Sequence, residues 1–187
     1  SPRRVELDEA GAPVKLVRRE RLDSHRLVEE HMLAANESVA RWFRAQDLPV
    51  VNRFHGPPDE EKLETFAKLA RAHGLNVAYG VPTSKELDAL LKQLEGHAEQ
   101  RALNQLLLRS MMQAVYSADQ TGHYGLAADD YLHFTSPIRR YPDLLVHRGL
   151  WQHWRREGDG EDLAPLAEHS SDRERAESPR RTPTATA

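Results

Sequence analysis

The spacing of apolar residues along the chain predicts a short β-hairpin followed by a series of helices. Two brief apolar runs, residues 5–7 and 14–17, flank a turn that contains Gly11 and predict the hairpin. An isolated two-stranded hairpin is marginally stable in water, so we expect these strands to belong to a larger sheet. A third apolar run, residues 48–55, stops at a Gly-Pro-Pro sequence and is compatible with another strand.

The remaining apolar residues recur at helical spacing. They predict five helices, over residues 23–45, 59–73, 84–94, 99–116 and 142–156, and a short sixth helix after Asp162. Asp59 and the capping box from Thr83 to Glu86 mark two helix starts, and Gly74 marks a helix end. The expected fold class is a helix-rich α/β (α+β) domain over residues 1–172. A low-complexity composition from Arg173 onward predicts a disordered tail over residues 173–187.

Composition limits the classes of function that this chain can have. Its 187 residues, 39% hydrophobic and 29% charged, are sufficient for one domain with a packed core. The net charge of -3 means that RNA would have to bind at a local basic patch. The absence of cysteine excludes disulfides, thiol catalysis and iron–sulfur clusters. No apolar run has membrane-spanning length and the first residues do not resemble a signal peptide, so a cytoplasmic protein is expected.

The clearest candidate chemistry begins at Ser136-Pro137, because a hydroxyl residue followed by proline is typical of a helix N-terminus. Arg139 and Arg140 lie just inside this start, where free amides and two guanidinium groups would form a phosphate-sized anion site. Aromatic residues of the kind that stack on bases surround it in the sequence, namely Tyr124, Phe134 and Tyr141. An alternative of equal weight is a buried helix start whose arginines pair with carboxylates, those of Asp129, Asp130 and Asp143.

Other polar residues are expected to have structural roles. No metal site is predicted, since His25 and Glu29 are the only i,i+4 pair of ligand type that we single out. The adjacent Asp129 and Asp130 are expected to cap a loop or helix. Structural roles are also the preferred interpretation for three histidines that could act as general acids, His123, His133 and His147.

Two runs of residues resemble the hallmark of a known family. They are His-Tyr-Gly-Leu-Ala at 123–127 and His-Phe-Thr-Ser-Pro-Ile-Arg-Arg-Tyr-Pro-Asp-Leu at 133–144, the latter followed by His147-Arg148, and both resemble the RNB catalytic domain of the RNase II/RNase R exoribonucleases. Residues 21–36 and 107–111 resemble two further blocks of that domain. The resemblance extends over about residues 1–175 and matches only the second half of the domain.

The resemblance implies a hydrolytic 3′-to-5′ exoribonuclease that acts on single-stranded RNA with Mg²⁺ held by clustered aspartates. In the family these aspartates lie in the first half of the domain, outside this chain. Arg139 matches the arginine that would hold the scissile phosphate and stabilise the transition state, so it is the expected catalytic residue. The expected RNA-binding residues are Glu29, Asn36, Tyr124, Ser136, Arg140 and Tyr141. The residues leave open whether Glu29 or Glu30 faces the RNA, although Glu29 shares a helix face with Asn36.

Three functions follow as alternatives. The first is a fragment of such an exoribonuclease, inactive alone because its metal ligands are elsewhere. The second is a non-catalytic RNA-binding module or adaptor that keeps the phosphate site, and the third is a helical interaction scaffold. Single-stranded RNA is the expected partner, with no preference for DNA, no membrane association and a monomeric intact protein.

Overall fold

The structure, a computed structural model, describes residues 3–8, 11–18, 22–77, 80–155 and 162–177. The chain divides into two units, residues 1–35 and 36–187. The long helix α1 (Asp23–Ala45) contributes residues to both units. Its bounds are those that the apolar spacing predicts.

The first unit contains the predicted hairpin. Strands β1 (Arg3–Leu7) and β2 (Pro13–Arg18) are antiparallel, with Val5 opposite Leu16. Asp8 stabilises the turn by accepting a hydrogen bond from the Ala12 amide at 2.8 Å, and Gly11 adopts the left-handed φ of 81° that glycine tolerates best. Within the described residues this sheet has two strands.

Three helices of the second unit pack on one another around a core of their own. They are α2 (Glu60–Ala72), α3 (Ser84–Leu94) and α4 (Gln100–Ser110). Asp59 caps α2 through the Lys62 amide, and Thr83 and Glu86 form the predicted capping box of α3. The shared core is formed by buried side chains one helical turn apart, Leu63, Phe66, Ala70, Leu90, Leu94, Leu103 and Leu107.

The remaining elements surround a small antiparallel sheet. Strands β3 (Asn52–Phe54) and β4 (Val115–Ser117) pair with Arg53 opposite Tyr116. Helices α5 (Tyr141–Arg155) and α6 (Leu163–Glu177) follow, and α6 packs on β4. Two apolar clusters fill this region: one joins α1 and α5 through Phe43 and Val146, and the other contains Val51, Tyr116, Leu145 and Ala167.

Two predicted boundaries are wrong. The helix predicted over residues 99–116 ends at Ser110, because Val115–Ser117 pairs with β3 instead. The predicted boundary at residue 172 falls inside α6, which continues to Glu177 because Glu174 forms a two-bond ion pair with Arg53 on β3. The rest of the predicted tail, residues 178–187, lies outside the described residues.

The helix-rich α/β fold class is confirmed by the six helices and the short strands of the described residues. Among the helices that the structure describes, none has the length and apolar composition needed to cross a membrane.

Candidate functional site

The arginine-bearing stretch is a turn rather than the first turn of a helix. Residues 137–139 form this turn, and the amides of Arg139 and Arg140 both donate to the Ser136 carbonyl, at 3.2 and 3.1 Å. Helix α5 begins only at Tyr141, so the predicted helix start at Ser136-Pro137 is wrong. Pro142 has no amide proton and fits only the first turn of a helix, which accounts for the new start.

Asp143 joins the two ends of this turn. Its side chain is fully buried, with 0% exposure. One carboxylate oxygen accepts from the Ser136 amide at 2.7 Å and from Arg140 Nη2 at 2.6 Å, and the other accepts from Arg140 Nε at 2.8 Å. Such two-bond pairing of guanidinium and carboxylate is strong and directional. Arg140 and the Ser136 amide are therefore committed to the protein.

Arg139 differs from its neighbour in both exposure and pairing. The residue is exposed, and its Nη2 makes only a long 3.4 Å contact with Ser136 Oγ. It forms no ion pair with any carboxylate in the part of the chain that the structure describes. The adjacent Ile138 is 97% exposed, so the tip of the turn faces solvent. The carboxylate-pairing alternative thus holds for Arg140, while Arg139 retains an uncompensated charge.

The three predicted aromatic residues have different surroundings. Tyr141 is 42% exposed at the start of α5, directly after the turn. Phe134 stacks on His147, with ring centroids 4.2 Å apart. Tyr124 lies in a short 3₁₀ turn (Tyr124–Leu126) and donates its hydroxyl to the Pro82 carbonyl at 2.6 Å. Burial is the main cause of its raised pKa, and the Glu86 carboxylate raises the pKa further.

Asn36 supports the segment that leads to the turn. The residue is only 3% exposed, its Nδ2 donates to the Tyr131 hydroxyl, and its Oδ1 accepts from the Phe134 amide, both at 3.0 Å. This position in the interior does not fit the RNA-facing role expected for Asn36. Glu29 and Glu30 are both exposed on α1, within the separate unit of residues 1–35.

Two histidines near the turn are held in their neutral form. Burial, and to a smaller extent the positive charge of Arg140, lower the pKa of His133 to about 3. The His133 Nδ1 lies 2.9 Å from the Tyr116 hydroxyl, whose pKa burial raises to about 12. Burial and the neighbouring His55 lower the pKa of His123 to about 4. At neutral pH these rings are uncharged polar packing groups.

The described residues do not assemble a magnesium centre. Among the described residues, no three His, Cys, Asp or Glu side chains come together as a metal-binding group. Asp130 is 5% exposed and pairs with Arg44, with Nη1 and Oδ2 2.9 Å apart. It is therefore an ion-pair partner rather than the cap that its sequence position suggests, and we assign no chemical step through a metal to this chain.

The helix-rich α/β fold is shared with one class of nucleases. The chain belongs to the RNB domain family, which matches residues 2–156. It is 42% identical to ribonuclease R 1 of Lactococcus lactis over 186 residues, covering 92% of this chain and 22% of that protein. It is also 42% identical to Aquifex aeolicus ribonuclease R over 147 residues, covering 78% of this chain and 21% of that protein. The chain thus spans about a fifth of the length of these relatives.

Solved structures show the same fold. Mycoplasma genitalium RNase R in complex with ribose-methylated single-stranded RNA matches with a TM-score of 0.83 and 27% identity, covering 92% of this chain and 29% of that chain. A yeast pseudonuclease matches with a TM-score of 0.68 and 27% identity, covering 82% of this chain and 20% of that chain. The resemblance to the RNase II/RNase R family is confirmed.

Proposed function

We propose that this chain is part of a 3′-to-5′ exoribonuclease and supplies the phosphate-binding side of its RNA site, with Arg139 as the catalytic arginine. One observation carries the proposal: of two adjacent arginines, Arg140 is neutralised by a buried carboxylate, and Arg139 is exposed with no carboxylate partner among the described residues. The ribonuclease R relatives, and a structural neighbour whose title includes single-stranded RNA, support RNA as the ligand.

The chemistry follows from how charge changes when a phosphodiester is attacked. Negative charge grows on the non-bridging phosphate oxygens, and a guanidinium can donate two parallel hydrogen bonds to them. Arg139 is available for this role because no carboxylate in the described chain competes for it. Its interaction strengthens as the charge develops, so it lowers the barrier more than it tightens binding.

Other residues have supporting roles in this proposal. Tyr141, exposed beside the turn, is placed to stack on a base, and Ser136 Oγ lies on the side of the turn that faces Arg139. Asn36 and Arg140 hold the protein framework rather than contact RNA. Direct RNA contacts by Glu29 and Tyr124 remain predictions. In the intact enzyme, Mg²⁺ would be held by residues outside this chain, and the protein would be monomeric, cytoplasmic and selective for RNA over DNA.

A second candidate is a non-catalytic RNA-binding module derived from the same domain. It is favoured by the lack of a metal-binding group among the described residues and by the likeness to the yeast pseudonuclease. Both candidates keep the phosphate contact at Arg139, and they differ in whether the complete protein hydrolyses RNA.

RNA binding by the purified chain tests the shared part of both candidates. The assay is fluorescence anisotropy with a labelled single-stranded RNA oligonucleotide at several salt concentrations. We expect Arg139→Ala to weaken affinity about fivefold and to lower the salt slope by about 0.7, the value for one lost phosphate contact on a single strand. Arg101 is exposed on α4 and serves as the matched control, so Arg101→Ala should change neither quantity. Equal effects of the two substitutions would refute a specific phosphate site at Arg139.

A further inference from the structure

We infer that Asp143 is a positioning residue: together with Arg140 it forms a clasp that fixes residues 136–140 so that Arg139 alone is presented to the RNA phosphate. This inference rests on the proposed function of Arg139. The clasp is defined here as the Asp143 carboxylate, the Arg140 guanidinium and the Ser136 amide. It assigns Arg140 to the support of the site rather than to RNA contact.

The geometry of the clasp links the two ends of the turn at one buried group. The carboxylate of Asp143, with 0% exposure, bonds to the Ser136 amide at 2.7 Å and to both Nε and Nη2 of Arg140. Backbone hydrogen bonds also close the turn, since the Arg139 and Arg140 amides donate to the Ser136 carbonyl. Arg139 lies between the clamped residues, so its Cα position and the direction of its side chain are set by the clasp.

Among the described residues, no other strong contact fixes Arg139. Within that part of the chain its side chain makes one contact, with Ser136 Oγ, and this contact is long at 3.4 Å. An exposed arginine side chain otherwise samples many rotamers. Binding a phosphate restricts it to one rotamer, at a cost in conformational entropy. Fixing the backbone beneath it reduces the number of orientations that must be lost, which is how a supporting group improves a catalytic one.

The clasp also decides which arginine carries the free charge. Adjacent arginines have the same chemistry, and two unpaired guanidinium groups would allow the phosphate two positions. Asp143 removes Arg140 from this competition by a two-bond pair. The nearby Arg53 is likewise committed, to Glu174, and the neighbouring His133 is neutral. The phosphate therefore meets one arginine at the turn.

A buried ion pair such as that between Arg140 and Asp143 is not, as a rule, required for the stability of a fold. Replacing such a pair by apolar residues of similar volume is often neutral or stabilising, whereas removal of one partner is strongly destabilising. The variant Arg140→Met/Asp143→Leu therefore separates the two roles. It should keep the fold, as judged by circular dichroism and urea unfolding, and should lose the fixed direction of Arg139.

The test is a double-mutant cycle measured by RNA anisotropy on the full chain. We expect Arg140→Met/Asp143→Leu to weaken affinity about as much as Arg139→Ala does, roughly fivefold, and to have no further effect when Arg139 is already alanine. The milder variant Arg140→Lys, which keeps a charge but loses the two-bond geometry, should show the same dependence on Arg139. If the clasp had only a structural role, the fold-losses of RNA affinity caused by the clasp variant and by Arg139→Ala would multiply in the combined variant.

The outcomes are distinguishable. If Arg139→Ala weakens binding and the folded clasp variants bind RNA like the wild type, the inference is overturned and the proposed function survives. If clasp variants weaken binding equally with and without Arg139, Asp143 acts through another group and the inference is overturned. If Arg139→Ala has no effect, the proposed function fails, and the inference fails with it.

Discussion

Acid should destabilise this protein through one half-buried histidine, His133. His133 has a folded-state pKa of about 3, against an ordinary value of 6.5, because burial and Arg140 disfavour its charged form. In the unfolded chain it titrates near its ordinary value. Its contribution to stability is therefore complete above pH 6.5 and is lost as the pH falls toward 3.

The magnitude follows from the two pKa values. Below pH 6.5 the unfolded chain takes up a proton that the folded His133 does not, which costs about 1.4 kcal/mol of unfolding free energy for each pH unit. At pH 5 the loss amounts to about 2 kcal/mol, a substantial part of the total stability of a domain of this size. His123, whose pKa is also lowered by burial, acts in the same direction.

Urea unfolding followed by tryptophan fluorescence at pH 7 and pH 5 measures this loss. His133→Asn removes the titrating group while offering an oxygen or amide to the Tyr116 hydroxyl, so it should reduce the difference in unfolding free energy between the two pH values by about 2 kcal/mol. His169, exposed on α6, provides the control, and His169→Asn should leave the wild-type difference unchanged. If His133→Asn keeps the full wild-type difference, His133 is not held neutral as the structure indicates.

Two further predictions concern the chain by itself. Purified chain incubated with end-labelled single-stranded RNA and Mg²⁺ should give no products, because the residues of a metal-dependent reaction are not assembled in its described part; a ladder from the 3′ end that survives repurification would contradict this. Thermal unfolding followed by circular dichroism should be broad and dependent on concentration, because Val5 and Val14 on the two-stranded hairpin are 47% and 68% exposed. A sharp two-state transition of a monomer at high temperature would show that the hairpin needs no partner strands.

Local signals in the sequence account for the parts of the fold that could be predicted. The start of α2 at Asp59, the capping box at Thr83 and the stop at Gly74 each depend on residues within one helical turn. Strand β4 was missed because its three residues are stabilised by a partner strand more than sixty positions earlier in the chain. No local pattern distinguishes such a strand from the end of a helix.

The candidate site also has features that the sequence predicts and features that depend on residues distant in the chain. Its arginines, serine and aromatic residues were identified by type and by family resemblance. Family resemblance also selected Arg139 as the catalytic residue, but the residues left open which of the two adjacent arginines pairs with a carboxylate, since their side chains are chemically equivalent. The i,i+3 spacing of Arg140 and Asp143 was the one local signal for this pairing. The burial of Asn36 depends on partners 95 and 98 positions away, which a single sequence does not reveal.

The central claim is that Arg139 stabilises the transition state of RNA hydrolysis. The most direct measurement is single-turnover hydrolysis of labelled RNA by a chimaera in which the first half of a ribonuclease R catalytic domain precedes this chain. We predict that Arg139→Ala lowers the hydrolysis rate about a hundredfold or more while RNA affinity falls only about fivefold, and that Arg139→Lys recovers little of the rate. Arg101→Ala should be indistinguishable from the wild type. A loss of affinity that accounts for the whole loss of activity in Arg139→Ala would contradict the claim and make Arg139 an RNA anchor.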